Sequence, residues 1–84
     1  KDIAVCRLSV SEPQVWICYL LRESGLVKST SEARRLIRQG AVKVDGERVS
    51  DSEQLIEANG TLLLRVGKRR ILYIAFTNAS RNDR

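Results

Sequence analysis

The stretch Ser29-Thr30-Ser31-Glu32-Ala33-Arg34-Arg35-Leu36-Ile37-Arg38-Gln39-Gly40-Ala41-Val42-Lys43-Val44-Asp45-Gly46-Glu47-Arg48 reads as a capped basic helix running straight into a tight hairpin. Ser29 with Glu32 makes a Ser-x-x-Glu capping box, in which each side chain satisfies the other's end of the helix backbone. At about 100° per residue, Ala33, Leu36, Ile37 and Gly40 gather on one side, while Ser31, Arg34, Arg35 and Arg38 share the opposite one. The first side is for packing and the second is free to meet a polyanion. Three guanidiniums crowded on one helix repel one another unless something negative lies across them, and the planar fork of Arg grips phosphate with two donors. Beyond Gly40, Val42-Lys43-Val44 alternates as a strand. Asp45-Gly46 suits a two-residue turn whose central positions both need positive φ, and the chain returns through Glu47, Arg48 and Val49.

Working outward, a first helix is expected from Pro13 to Ser24, with Pro13 in its first turn and Gly25 in the left-handed position after its end. Trp16, Ile17, Leu20 and Leu21 form its apolar stripe. So short a link as Leu26-Val27-Lys28 makes the two helices cross, with Leu36 and Ile37 meeting Leu20 and Leu21. Residues 3–8 alternate loosely, as a short edge strand would. Asp51, Glu53 and Glu57 read as a solvated acidic connection on the side away from any polyanion. Leu62 to Val66 and Arg70 to Phe76, about Gly67-Lys68-Arg69, predict a second hairpin that shares a sheet with the first. The expected fold class is α+β: two short crossing helices packed on a small, mostly antiparallel sheet. One domain covers residues 1–76, and residues 77–84, with nothing able to pack, are expected to form a disordered tail.

Eighty-four residues, 43% of them apolar, provide for one modest core and not for a deep, enclosed active site. The 15 basic and 10 acidic side chains leave a formal charge of +5, which favours an anionic partner, nucleic acid or acidic lipid alike. Val15 to Leu21, the longest apolar stretch, is too short to span a bilayer, and the N-terminus lacks a signal-peptide layout. Because the chain opens at Lys1 without an initiator Met, a fragment of a longer protein is expected. Cys6 and Cys18 are the only cysteines and there is no His. Their spacing fits neither a redox pair nor a zinc site, so reduced, packed thiols in a reducing cytoplasm are expected. No nucleophile and base constellation is present. Gly60 and Gly67 have six residues between them where a P-loop needs four, and Arg69 stands where Ser or Thr should be. No catalytic residue, metal ligand or cofactor site is therefore predicted.

Ser31-Glu32-Ala33-Arg34-Arg35-Leu36-Ile37, followed by Gly40, Val42, Val44, Gly46 and Val49, resembles the alpha-L RNA-binding motif first known from a small-subunit ribosomal protein. Leu20-Leu21-Arg22-Glu23-Ser24-Gly25-Leu26-Val27 before it, and Leu63-Leu64-Arg65-Val66-Gly67-Lys68-Arg69-Arg70 with Tyr73 and Phe76 after it, are similar to the appended C-terminal domain of bacterial-type tyrosyl-tRNA synthetases. The resemblance implies a tRNA-binding piece that grips the long variable arm region of tyrosine tRNA. The ATP and tyrosine sites would lie in an absent catalytic part, the parent enzyme would be a cytoplasmic homodimer, and the isolated domain a monomer with no membrane partner. Alternatives are an accessory domain of an rRNA-modifying enzyme or ribosome-associated protein, and a protein-protein adaptor using the acidic stretch.

Duplex RNA is read mainly through phosphate spacing, 2'-hydroxyls and shape. The second helix is expected to present Ser31, Arg34, Arg35 and Arg38 to the backbone, its N-terminal amides adding positive partial charge. Lys28, Lys43 and Arg48 flank that face, and Lys68, Arg69 and Arg70 extend it from the second hairpin; against each stands the bland reading of an ordinary solvated charge. Trp16, Tyr19, Tyr73 and Phe76 lie on core-forming elements and are read as packing rather than base stacking.

Overall fold

Strand formation begins at the amino end of the computed structural model, which describes residues 3–78. The elements run β1 (Val5–Val10), β2 (Gln14–Trp16), α1 (Ile17–Glu23), α2 (Thr30–Arg38), β3 (Val42–Val44), β4 (Glu47–Arg48), β5 (Leu55–Glu57), β6 (Thr61–Val66) and β7 (Arg70–Asn78). Five strands form one sheet in the order β1-β7-β6-β3-β4, and β2 pairs with β5 in a separate two-stranded ribbon. Among the described residues only the β1–β7 pairing is parallel. The expected α+β class with a mostly antiparallel sheet is what the chain forms, and its two hairpins share that sheet through β3 and β6.

Alternation along the strands decides which face is buried. Leu8 and Val10 of β1, Ile74 of β7, Leu62, Leu64 and Val66 of β6, and Val42 of β3 point inward. They join one core with Ile17, Cys18, Leu20 and Leu21 of α1 and Ala33 and Ile37 of α2. No charged or polar residue is buried among the described residues. The first hairpin turns at Asp45 (φ +52) and Gly46 (φ +86), as the two-residue turn requires. Asp45 also docks that turn, its carboxylate accepting the Leu63 N–H at 2.9 Å.

Three expectations are corrected. The first helix starts at Ile17, not Pro13, because Gln14, Val15 and Trp16 are extended and pair with Glu57, Ile56 and Leu55. The Pro13 carbonyl accepts the Ala58 N–H and the Ile17 N–H donates to the Gln54 carbonyl, so this ribbon claims backbone groups that a helix would have used. The acidic connection is accordingly half strand, with Ile56 buried against the core. Thr77 and Asn78, assigned to the tail, continue β7 opposite Ser9 and Val10, and the Ser9 and Thr77 hydroxyls hydrogen-bond at 3.2 Å. The rest of the expected tail, residues 79–84, lies outside the described residues.

Leu64, fully buried on β6 between Val44 of β3 and Leu72 of β7, is the position where truncation leaves the least scope for collapse. Leu64→Ala is expected to cost roughly 2–5 kcal/mol in urea denaturation. Leu55→Ala, at a site 54% exposed, should stay within about 0.5 kcal/mol. Equal losses at the two sites would contradict this assignment of the core.

Candidate nucleic-acid interface

Helix α2 is fixed at both ends before its arginines come into play. Ser29 is extended and its Oγ accepts the Glu32 N–H at 3.1 Å. The Glu32 carboxylate accepts from the Lys28 N–H at 3.0 Å, one residue outside the cap, so the box closes on Lys28 and not on Ser29 itself. The protein's own side chains thus occupy the amino end, and Glu32 puts negative charge in its first turn. Its charge offsets part of the positive partial charge expected from the remaining first-turn amides. Arg35 and Arg38 sit in the last turn, where cations complement the helix dipole.

The wheel holds on both faces. Ala33 and Ile37 are buried and Leu36 half-buried, while Ser31, Arg35 and Arg38 are exposed. Arg34 behaves differently from its neighbours. Its Nη1 donates to the Glu53 carboxylate at 2.9 Å, and its guanidinium carbon lies 5.0 Å from the centroid of the Trp16 ring. The ring is itself pinned, its Nε1–H donating to the Ser52 carbonyl at 2.7 Å. The β2–β5 ribbon makes this corner by bringing residues 52–54 back beside Trp16. Glu53, expected on the side away from the basic face, instead sits on it. Beneath, the Cys18 Sγ–H points at the same Ser52 carbonyl at 3.4 Å. Burial pushes the Cys18 thiol up from its ordinary value; Arg34 opposes that shift and Glu53 adds to it. Both cysteines are free thiols, as expected, with Cys18 buried and Cys6 only partly so.

Arg48 joins helix to hairpin. Gly40 has φ +76, and a Cβ there would lie 3.1 Å from Arg48 Nη1, so the Arg48 side chain crosses the end of α2 close against a residue whose backbone favours glycine. Arg48 is opposite Lys43 in the β3–β4 register, and Lys43 is opposite Arg65 in the β3–β6 register. These three exposed cations form a row across three strands. Arg65 was not among the expected site residues. Its signal was the period-two pattern of β6, in which Leu62, Leu64 and Val66 point inward and Arg65 outward.

Lys28, Lys68 and Arg69 are exposed, the last two in the turn of the second hairpin. Arg70 is committed elsewhere: its guanidinium donates to the Leu26 carbonyl and ties that hairpin to the link between the helices. Among the described residues only Arg22–Glu23 and Arg34–Glu53 are ion pairs, so Arg35, Arg38, Lys43, Arg48 and Arg65 face solvent without a carboxylate within 4.0 Å. Tyr19 and Tyr73, expected to pack, are 38% and 37% exposed; Trp16 and Phe76 are half-buried against the core, as expected. No three His, Cys, Asp or Glu side chains gather to hold a metal ion among the described residues. A depression of about 430 Å3 beside Pro13 and Phe76 has one carboxylate, Glu12, and the hydroxyl residues Ser11 and Thr77 in its lining, with no Cys, Lys or His among them. No helix of the described residues is long and apolar enough to cross a membrane.

Residues 15–62, from β2 through both helices and the first hairpin into β6, match the family model of the S4 domain. The chain belongs to the S4 domain family. This S4 domain is 45% identical over 76 residues to the tyrosine–tRNA ligase of Desulfotalea psychrophila, a match covering 90% of the chain and 18% of the relative. It is 52% identical over 63 residues to the tyrosine–tRNA ligase of Moorella thermoacetica, covering 75% of the chain and 15% of the relative. With that of Geobacter sulfurreducens it shares 49% identity over 69 residues, 82% of the chain and 17% of the relative. The S4 domain thus spans less than a fifth of the length of these curated relatives.

Gly40→Ala is expected to destabilise the fold by about 1–2 kcal/mol, chiefly through the left-handed backbone and in smaller part through crowding by Arg48. Combining it with Arg48→Ala relieves the side-chain crowding and should recover only part of that stability in urea denaturation. Full recovery in the double variant would show that crowding, and not backbone conformation, requires glycine there.

Proposed function

We propose that this S4 domain is the tRNA-gripping appended domain of a tyrosine–tRNA ligase, holding tyrosine tRNA by its backbone near the long variable arm. The observation that carries this reading is the solvent face of α2, where Ser31, Arg35 and Arg38 stand together, the two arginines without carboxylate partners among the described residues, on a helix whose other face is buried. The names of the relatives support the choice of tRNA over rRNA as the polyanion.

Arg35 and Arg38 take phosphates first, because they need no partner exchange. Arg34 holds Glu53 at 2.9 Å and reaches a phosphate only by leaving it; the pair is exposed, so that exchange costs little. Arg48 and Lys43 continue the track past the end of α2, with Lys28 on the other flank. Lys68 and Arg69 extend it further, whereas Arg70 keeps its structural bond to Leu26. The chain supplies no catalytic group in this reading. ATP and tyrosine bind the remainder of a homodimeric cytoplasmic ligase, and tethering raises the local concentration of tRNA there and orients it.

Arg35→Ala combined with Arg38→Ala, both at exposed sites, is expected to leave the thermal midpoint unchanged and to weaken binding of tyrosine tRNA. The slope of log affinity against log salt should become shallower by about 0.7–0.9 for each phosphate that is no longer neutralised. Unchanged affinity and slope in the double variant would contradict the proposed face.

A further inference from the structure

An antiparallel sheet with one solvated face ordinarily alternates apolar residues inward with polar residues outward. The outer face of this sheet departs from that rule in one place. Val5 of β1, Tyr73 of β7 and Leu63 of β6 are directly opposite one another, and all three point away from the core. Ile71, two residues from Tyr73 on the same strand, does the same. Val5 is 57% and Tyr73 37% exposed, so the row is open to solvent.

Cations border this apolar row on both sides. Ile71 is opposite Arg65, which continues through Lys43 to Arg48 at the end of α2. At neighbouring strands about 4.8 Å apart, that row spans roughly 10 Å. On the far side Arg7 of β1 is opposite Ala75, the next outward residue after Tyr73. Asp45, in the turn beside Leu63, accepts the Leu63 N–H. An exposed aromatic ring on an inner strand, flanked by guanidiniums that have no carboxylate partner among the described residues, has the two parts that hold single-stranded nucleic acid: a π-face on which a base stacks and cations that follow its phosphates.

We infer that the outer sheet face is a second RNA site, which takes an unpaired nucleotide on Tyr73 with its phosphates along Arg65, Lys43 and Arg48, adjoining the duplex held by α2. This rests on the reading of α2 as an RNA-binding face and adds a preference for a junction between paired and unpaired RNA. Leu63, Ile71 and Val5 form the apolar surround that keeps water from the stacked base.

The test uses the 84-residue chain and two RNA probes, a blunt hairpin and the same hairpin with unpaired 3' adenosines, followed by fluorescence anisotropy. The wild-type chain is expected to prefer the extended probe. Tyr73→Leu keeps the apolar bulk without a π-face, and should lose roughly tenfold on the extended probe while changing the blunt one by less than about twofold. Tyr73→Phe should retain the preference, and Arg65→Ala should make the salt slope shallower only with the extended probe. Absence of a preference in the wild-type chain, or its survival in Tyr73→Leu, would overturn the second site while leaving duplex binding by α2 intact. Failure of the wild-type chain to bind either probe would overturn the α2 reading as well.

Discussion

Burial of one side of a nine-residue helix is the constraint on which the rest depends. Ala33 and Ile37 are buried in the core that α2 shares with α1 and the sheet, so α2 cannot rotate without exposing them, and its opposite side is held outward. Fully burying a side chain such as Ile37 is worth about 1.5–3 kcal/mol, more than the repulsion among exposed guanidiniums removes. The Ser29 cap and the left-handed Gly40 fix where the helix begins and ends, and Gly40 also lets Arg48 cross the end of α2.

The β2–β5 ribbon then differentiates the arginines. By returning residues 52–54 to Trp16, it supplies Arg34 with a carboxylate and an aromatic ring, while Arg35 and Arg38 receive neither. One helix face therefore carries two cations ready for a phosphate and one held in reserve. Glu53 is part of the electrostatics of the face, so the field presented to a polyanion is set by a strand pairing as much as by the basic residues themselves.

Local signals made much of this legible. The capping serine, the apolar stripe of α2, the Asp45-Gly46 turn and both hairpins are properties of short segments, and the sequence pattern located them. The sharing of one sheet by the two hairpins was legible too, but the long-range pairing of β2 with β5 was not. Pro13, Val15 and Trp16 carry a helix-start pattern, yet about 40 residues later Leu55, Ile56 and Glu57 offer a strand partner that wins, because burying Val15 against Ile56 outweighs local preference. The same pairing moved Glu53 onto the basic face. Arg65 and Tyr73 were hidden for a different reason: each sits in an apolar run, and only the register shows that both point outward together. Arg70 looked equivalent to Lys68 and Arg69 until the fold brought it to the Leu26 carbonyl.

The central claim is that the outward side of α2 is the primary RNA-binding surface, and backbone amide chemical-shift mapping during titration with tyrosine tRNA tests it most directly. The largest perturbations are expected along residues 31–38 and at Arg48, with the Trp16 side-chain N–H shifting as Arg34 leaves Glu53. Perturbations confined to the acidic residues 51–57 and the edge of β1, with α2 unmoved, would contradict it.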